Sequence, residues 1–134
     1  MWPKIFLAVG GFYGLLGVAL GAFGAHGLRD QLEPSQLSSW QTAVQYQLIH
    51  AIALLIVGVW VLHTGATALR YAGGFFIAGV VLFSGSIYML ILTSATWLGP
   101  VTPLGGLALM AGWLCVIYAC LLYTSDAADE RRCV

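Results

Sequence analysis

Residues 71–92 read YAGGFFIAGVVLFSGSIYMLIL and contain no Asp, Glu, Lys or Arg. A helix of that length rises about 33 Å, which is enough to cross a hydrocarbon core of about 30 Å. Charge is absent well beyond this stretch, since Arg70 is the only formally charged side chain between Pro34 and Ser125. A soluble domain has roughly a quarter of its residues charged, whereas only 7% are charged here. The composition therefore excludes a water-soluble globular domain and indicates an integral membrane protein.

Four segments of the chain have the length and composition of membrane spans, at about residues 5–26, 40–62, 71–93 and 103–123. The segment at 40–62 is the least regular, because its first two turns carry three glutamines. The first segment could instead be a signal peptide, but its apolar run exceeds the usual length of about 7 to 15 residues, and three spans follow it. The sequence thus predicts an all-α integral membrane protein, a four-transmembrane-helix bundle over residues 1–123.

The basic residues predict the orientation of this bundle. With four spans, Lys4, Arg70, Arg131 and Arg132 face one side of the membrane, and Arg29 alone faces the other. Because basic residues accumulate on the cytoplasmic side, both termini are expected to be cytoplasmic. The bias falls to two residues against one when the last two arginines are left out.

Residues 124–134 differ in character from everything before them. Half of all formal charges in the chain lie in this short segment, at Asp126, Asp129, Glu130, Arg131 and Arg132. We expect a charged, disordered tail, and we interpret it, as a hypothesis, as appended cloning or adapter sequence rather than native protein. It is assigned no function.

Glycines in the first and fourth spans recur at helical spacing. Intervals of three and four residues place such glycines along one face of a helix, and in lipid a bare face lets another helix approach closely. We expect a helix-packing seam in the first span, with a shorter surface of the same spacing in the fourth span as its partner. The seam consists of Gly10, Gly14, Gly17, Gly21 and Gly24, and the shorter surface contains Gly105 and Gly112.

Polar side chains within the spans are the candidates for function. They form a candidate intramembrane cluster of His26, Tyr46, Gln47, His50, Ser84 and Tyr88. Such groups usually face the bundle interior and form hydrogen bonds between helices, which is the structural interpretation. His50 could alternatively serve as a proton relay or ligand contact, or occupy an interfacial position without a role.

Several chemical functions are disfavoured by the same residues. His26 and His50 have no intramembrane carboxylate or close cysteine pair to complete a metal site, so we expect no metal and no cofactor. Ser84 and His50 lack a buried acid that would orient a catalytic base, so we expect no enzyme. The few basic residues are scattered and the formal net charge is zero, which argues against nucleic acid as a partner.

Four motifs in order resemble the domain-of-unknown-function 423 family of small bacterial inner-membrane proteins, which is similar to the eukaryotic transmembrane-protein-256 group. They are GAFGAHGL at 21–28, WQTA at 40–43 with YQ at 46–47 and HA at 50–51, LFSGSIY at 82–88, and TPLGG at 102–106 with GW at 112–113. The resemblance implies a multi-pass protein of the bacterial inner (plasma) membrane. It carries no established activity, cofactor or catalytic residue, and it ends near Leu122.

Two functions remain open at this point. The first is a structural or accessory helix bundle that packs through its glycine seam, with the lipid bilayer, a second copy or another membrane protein as its partner. The alternative is a small oligomeric transporter or channel for a solute or protons that uses the intramembrane His50 face. A carboxylate that could exchange protons for cations is absent from all four predicted spans.

Overall fold

The structure, a computed structural model, describes the backbone of residues 1–132 and the side chains of residues 1–122. Helix α1 spans Trp2–His26 and helix α2 spans Pro34–Thr64. The third span is built from α3 (Thr67–Val80), a π-helical turn (Val81–Gly85) and α4 (Ser86–Thr93). A short 3-10 turn (Thr96–Leu98) leads into α5 (Val101–Arg132).

Within residues 1–132, four helical segments are long and apolar enough to cross a membrane. They are Trp2–His26, Pro34–Thr64, Thr67–Thr93 and Thr96–Leu122. The predicted all-α, four-span architecture is confirmed, and residues 1–132 contain no strand. The prediction that residues 124–134 form a disordered and non-native tail stays a prediction, and helix α5 includes this segment as far as Arg132.

The second helix begins earlier than the predicted start at residue 40, and its local sequence explains why. Glu33 is its N-cap, the Gln36 side chain accepts the Glu33 backbone N–H at 3.1 Å, and Pro34 occupies the first turn. A capping box satisfies backbone donors that have no partner within the helix, and proline at this position sacrifices no helical hydrogen bond. These polar residues start the helix outside the apolar stretch.

The connection between α2 and α3 is very short. Gly65 adopts the left-handed conformation (φ 64°), and its N–H bonds to the carbonyl of Val61. A glycine at this position ends a helix without a steric penalty. The chain therefore reverses direction within two residues, Gly65 and Ala66, and α2 and α3 form a tight hairpin.

Contacts between the helices define two hairpins joined through their inner members. Helix α1 packs along α2, and α5 packs along α3 and the π turn. Helix α2 then packs against the whole third span. Helices α1 and α5 make no backbone approach to one another within the described part of the chain.

The interior and the outer surface are both apolar. Phe6, Leu54 and Phe76 are completely buried between the helices. The outward faces carry large apolar side chains as well, including Leu15 and Leu114, which are 71% and 65% exposed. In water so much exposed apolar surface would mark an aggregation-prone protein, whereas in a bilayer it faces acyl chains.

The predicted orientation of the bundle in the membrane can be tested with single cysteines, one near the start of α2 and one at the start of α3. Ser35 and Thr67 are both exposed and lie at opposite ends of the bundle. In a chain whose native cysteines are replaced by alanine, Ser35→Cys should react with an impermeant maleimide in intact cells, because the predicted orientation places it outside. Thr67→Cys should react only after permeabilisation, because the same orientation places it in the cytoplasm. The reverse labelling pattern would place both termini outside.

Candidate functional site

Gln47 is the centre of the interior polar network. Its side chain is buried, and its Oε1 accepts a hydrogen bond from the Tyr88 hydroxyl at 2.7 Å. Its Nε2 donates to the backbone carbonyl of Tyr13 at 2.9 Å. The Tyr13 hydroxyl in turn donates to the carbonyl of Ile77 at 2.8 Å. One glutamine and two tyrosines thereby connect α1, α2 and both halves of the third span.

The Tyr13 carbonyl can be reached because of Gly17. A Cβ atom added to Gly17 would lie 2.7 Å from the Leu48 side chain and 3.5 Å from Gln47 Nε2. Residue 17 is one turn beyond Tyr13, and a side chain there would hold α2 away from the carbonyl. Carbonyl oxygens have two lone pairs, so that of Tyr13 can accept a side-chain bond in addition to its helical one.

His50 forms a second group with α5. Its Nδ1 lies 2.7 Å from the carbonyl of Tyr46, and Trp113 Nε1 lies 2.9 Å from its Nε2. An indole N–H can only donate, so His50 Nε2 must be the acceptor and Nδ1 must carry the proton. The hydrogen bonds therefore define a neutral imidazole of a single tautomer. Phe76 packs edge-on against both rings, with centroid distances of 5.4 Å to His50 and 5.0 Å to Trp113.

This geometry leaves the His50 imidazole no free nitrogen. A second proton on Nε2 would point at the indole N–H, and two donors would then face each other. His50 could carry a proton only after Trp113 moved away from it. The hydrogen bond also has a structural consequence, because among the described residues α2 and α5 make no backbone approach and are joined here through side chains.

The π turn and the first residue of α4 supply the third group of polar contacts. The Ser84 hydroxyl, which is 1% exposed, donates to the carbonyl of Ala43 on α2 at 2.7 Å. Ser86 bonds to Thr102 of α5 through their hydroxyl oxygens at 2.5 Å. A π turn adds a residue to the helical repeat and so redirects the side chains that follow it. The two serines thus point to different neighbouring helices.

The structure separates the six predicted polar residues. Gln47 and Tyr88 share one group, whereas His50 and Ser84 belong to two others. Tyr46 is 40% exposed, its ring stacks on Phe83 and on His50, and its backbone carbonyl bonds to His50 Nδ1.

His26 does not join this cluster. It is exposed at the end of α1 and has no hydrogen bond with the other five residues in the described part of the chain. Its grouping with them was wrong, because it is the exposed last residue of α1, whereas the others lie within their helices.

Sequence reasoning missed three residues of the network: Tyr13, Trp113 and Trp40. Trp40 donates from Nε1 to the carbonyl of Leu20 at 2.9 Å and lies almost completely buried between α1 and Tyr88. Tyr13 precedes Gly17 by one turn, and this spacing on the seam is the signal that could have identified it. Buried tyrosine and tryptophan usually find a polar partner, which is the corresponding signal for Trp113.

The glycine seam of α1 contacts α2. Gly10, Gly17 and Gly24, which are seven residues apart, are buried against the side chains of Leu55, Leu48 and Trp40. Gly21 lies at the edge of this contact. Gly14 does not take part, because a Cβ added there would meet nothing within 4 Å.

The expected pairing of the two glycine surfaces was wrong. Gly105 lies against the backbone of the π turn, where an added Cβ would come within 2.6 Å of Leu82 C and Phe83 Cα. Gly112 lies against the Phe76 ring. Both glycines of α5 therefore pack on the third span, while α1 packs on α2. Equal spacing on two helices shows which faces are bare but does not show which faces meet.

The cavities are open grooves on the surface of the bundle. One of about 220 Å³ lies between α1 and the third span, and Gln47 and Tyr88 form part of its wall. The described residues contain no group of three His, Cys, Asp or Glu side chains placed to hold a metal ion. Gln47 and Tyr88 are thus hydrogen-bonded to each other and also border an open groove.

The fold and this network define a four-span α-helical membrane protein whose interior polar side chains connect its helices. Residues 20–106 match the family model described as protein of unknown function (DUF423). The chain belongs to this family, and the resemblance read from its motifs is confirmed.

Relatives from two bacterial genera share one description and match this chain over nearly their whole length. A UPF0382 membrane protein of Staphylococcus haemolyticus is 44% identical over 114 residues, covering 85% of this chain and 93% of that protein. UPF0382 membrane protein YwdK of Bacillus subtilis is 41% identical over 121 residues, covering 90% and 98%. Their names, with the four apolar helices found here, confirm the predicted membrane location. No solved structure matches the chain.

Adjacent glycines of α5 provide a sharp test of the packing. Gly105→Ala should destabilise the protein by about 2 kcal/mol or more, because the new methyl group meets backbone that cannot move aside. Gly106→Ala should be neutral, since its Cβ would have no neighbour closer than 3.9 Å. Thermal unfolding in detergent micelles measures both, and equal effects would mean that α5 does not approach the π turn as described.

Proposed function

We propose that the protein works as a structural or accessory helix bundle of the membrane. The observation that supports this function is the completeness of the interior hydrogen bonding. Among the described residues, every buried side-chain nitrogen or oxygen has a partner. A polar group that binds a transported solute must be able to exchange its partners, whereas these groups are occupied by neighbouring helices.

The glycine seam has an internal role in this proposal. Gly10, Gly17 and Gly24 are buried against α2 of the same chain, so they are not available to a second copy or another protein. A partner would instead contact the outer, apolar faces of the helices. The bundle would then offer that partner a rigid surface, because its own helices are fixed by hydrogen bonds and close packing.

An enzymatic role has no support in the arrangement of the polar groups. The Ser84 hydroxyl donates to the Ala43 carbonyl rather than to His50, and His50 accepts from Trp113. A serine nucleophile needs a base within hydrogen-bond reach. We therefore propose a binding or scaffolding role and no reaction.

The alternative is a small oligomeric transporter or channel that uses the His50 face. The observation that favours it is that one side-chain bond, from Trp113, occupies His50 Nε2. Movement of α5 would release this nitrogen for a proton or solute. Such a mechanism would make the His50–Trp113 bond a gate rather than a structural connection.

Two substitutions distinguish these roles. His50→Ala and Trp113→Phe should each lower the unfolding temperature, and the double variant should be little worse than either single variant, because both remove the same bond. Proton flux into liposomes containing the wild-type protein should equal that of protein-free liposomes.

Flux that requires the wild-type protein and is lost in His50→Ala would overturn the structural proposal. Gly11→Leu serves as the matched control, because its Cβ meets nothing within 4 Å. It should change neither the unfolding temperature nor the flux.

A further inference from the structure

A groove between the start of α1 and the outer face of α3 combines an apolar floor with a charged mouth. Its volume is about 530 Å³, within the range of small-molecule binding clefts. Trp2 forms one wall, Phe75 forms the other, and Gly74 and Ala78 form the floor. Arg70 also lines the groove.

The floor of the groove lacks large side chains because small residues recur along α3 at an interval of four. Arg70, Gly74 and Ala78 are four residues apart and therefore lie in one row along α3. A Cβ added to Gly74 would meet nothing within 4 Å. The row spans about 12 Å along the helix, which is a large part of the hydrocarbon thickness of one leaflet. Beside it, Tyr71 and Phe75 form a parallel row of larger side chains.

The charge at the mouth of the groove is unusual in this chain. Arg70 is the only formally charged side chain between Pro34 and Ser125. Helical side chains lean toward the N-terminus of their helix, which in α3 is the end nearest the membrane surface. The guanidinium is thus placed at headgroup level with an apolar channel beneath it. Trp2, which is 45% exposed, is a residue type that favours the same depth.

We propose that this groove binds one anionic phospholipid of the surrounding leaflet. An acyl chain lies along Gly74 and Ala78, and the phosphate accepts charge-assisted hydrogen bonds from Arg70. Charge complementarity selects this occupant, because a guanidinium matches the geometry of phosphate oxygens. A zwitterionic lipid fills the same groove less tightly, since its headgroup carries no net negative charge.

The acidic residues of the first 122 positions do not compete for Arg70. They are Asp30 and Glu33, in the connection between α1 and α2. Arg70 follows the connection between α2 and α3, at the opposite end of the bundle. Within residues 1–122, no carboxylate therefore lies at the mouth of the groove to pair with Arg70.

Native mass spectrometry of the full chain in detergent measures this binding directly. The probes are palmitoyl-oleoyl phosphatidylglycerol and phosphatidylcholine, which have the same acyl chains. We expect one retained phosphatidylglycerol, bound about fivefold more tightly than phosphatidylcholine, because one basic residue near an anionic headgroup contributes on the order of that factor. Arg70→Gln should remove this preference.

Matched variants separate the groove from general electrostatic attraction. Lys4→Gln removes one positive charge from the same end of the bundle at a residue that does not line the groove, and it should keep the preference. Gly74→Leu and Ala78→Phe fill the floor and should each reduce retention of both lipids severalfold. Gly11→Leu adds the same bulk in open space on α1 and should have no effect.

Several results would overturn the proposal. Equal retention of the two lipids by the wild-type protein would mean that Arg70 does not select a phosphate. Equal losses in Arg70→Gln and Lys4→Gln would indicate diffuse attraction, and unchanged retention in both floor variants would show that no acyl chain lies there. A lipid-free dimer that Gly74→Leu dissociates would identify a second copy as the occupant instead.

Discussion

The structure depends on the close approach of neighbouring helices at positions where glycine removes the side chain. At Gly17 this approach packs α1 against the side chains of Leu48 and Gln47, and it brings the Tyr13 carbonyl within reach of Gln47. At Gly105 it places α5 on the backbone of the π turn. Lipid makes such contacts effective, because helices in a bilayer gain little from hydrophobic burial and associate through close packing and hydrogen bonds.

The free energies of made and missing hydrogen bonds indicate what the interior hydrogen bonds contribute to stability. A hydrogen bond between membrane helices contributes about 0.6 kcal/mol on average, whereas an unsatisfied polar group in hydrocarbon costs several kcal/mol. The Gln47, His50 and Ser84 contacts therefore add modest stability when made, and they strongly disfavour arrangements in which they are broken. Their main effect is to determine which helix faces meet. This explains how a small bundle with apolar outer and inner surfaces keeps one arrangement.

The sequence predicted the four spans because each lacks charge over the length of a bilayer, and this signal requires no knowledge of packing. It predicted that Gln47, His50, Ser84 and Tyr88 form hydrogen bonds between helices or have a function, since polar side chains are rare in such spans. It did not predict their partners. The hydrogen-bond acceptors at Ala43 and Tyr13 are backbone carbonyls, which every residue has, so the sequence does not identify them. The π turn at Val81–Gly85 also changes the side-chain register, and spacing rules for an α-helix do not predict that change.

A double-mutant cycle on Gln47 and Tyr88 tests the central claim that buried polar side chains connect specific helices. Tyr88→Phe removes only the hydroxyl that bonds to Gln47 Oε1, and Gln47→Leu removes the amide. We expect a coupling free energy of about 0.6 to 1.7 kcal/mol in the unfolding equilibrium measured in micelles. Strictly additive effects of the two substitutions would contradict this expectation, because they would show that the two side chains do not interact in the folded protein.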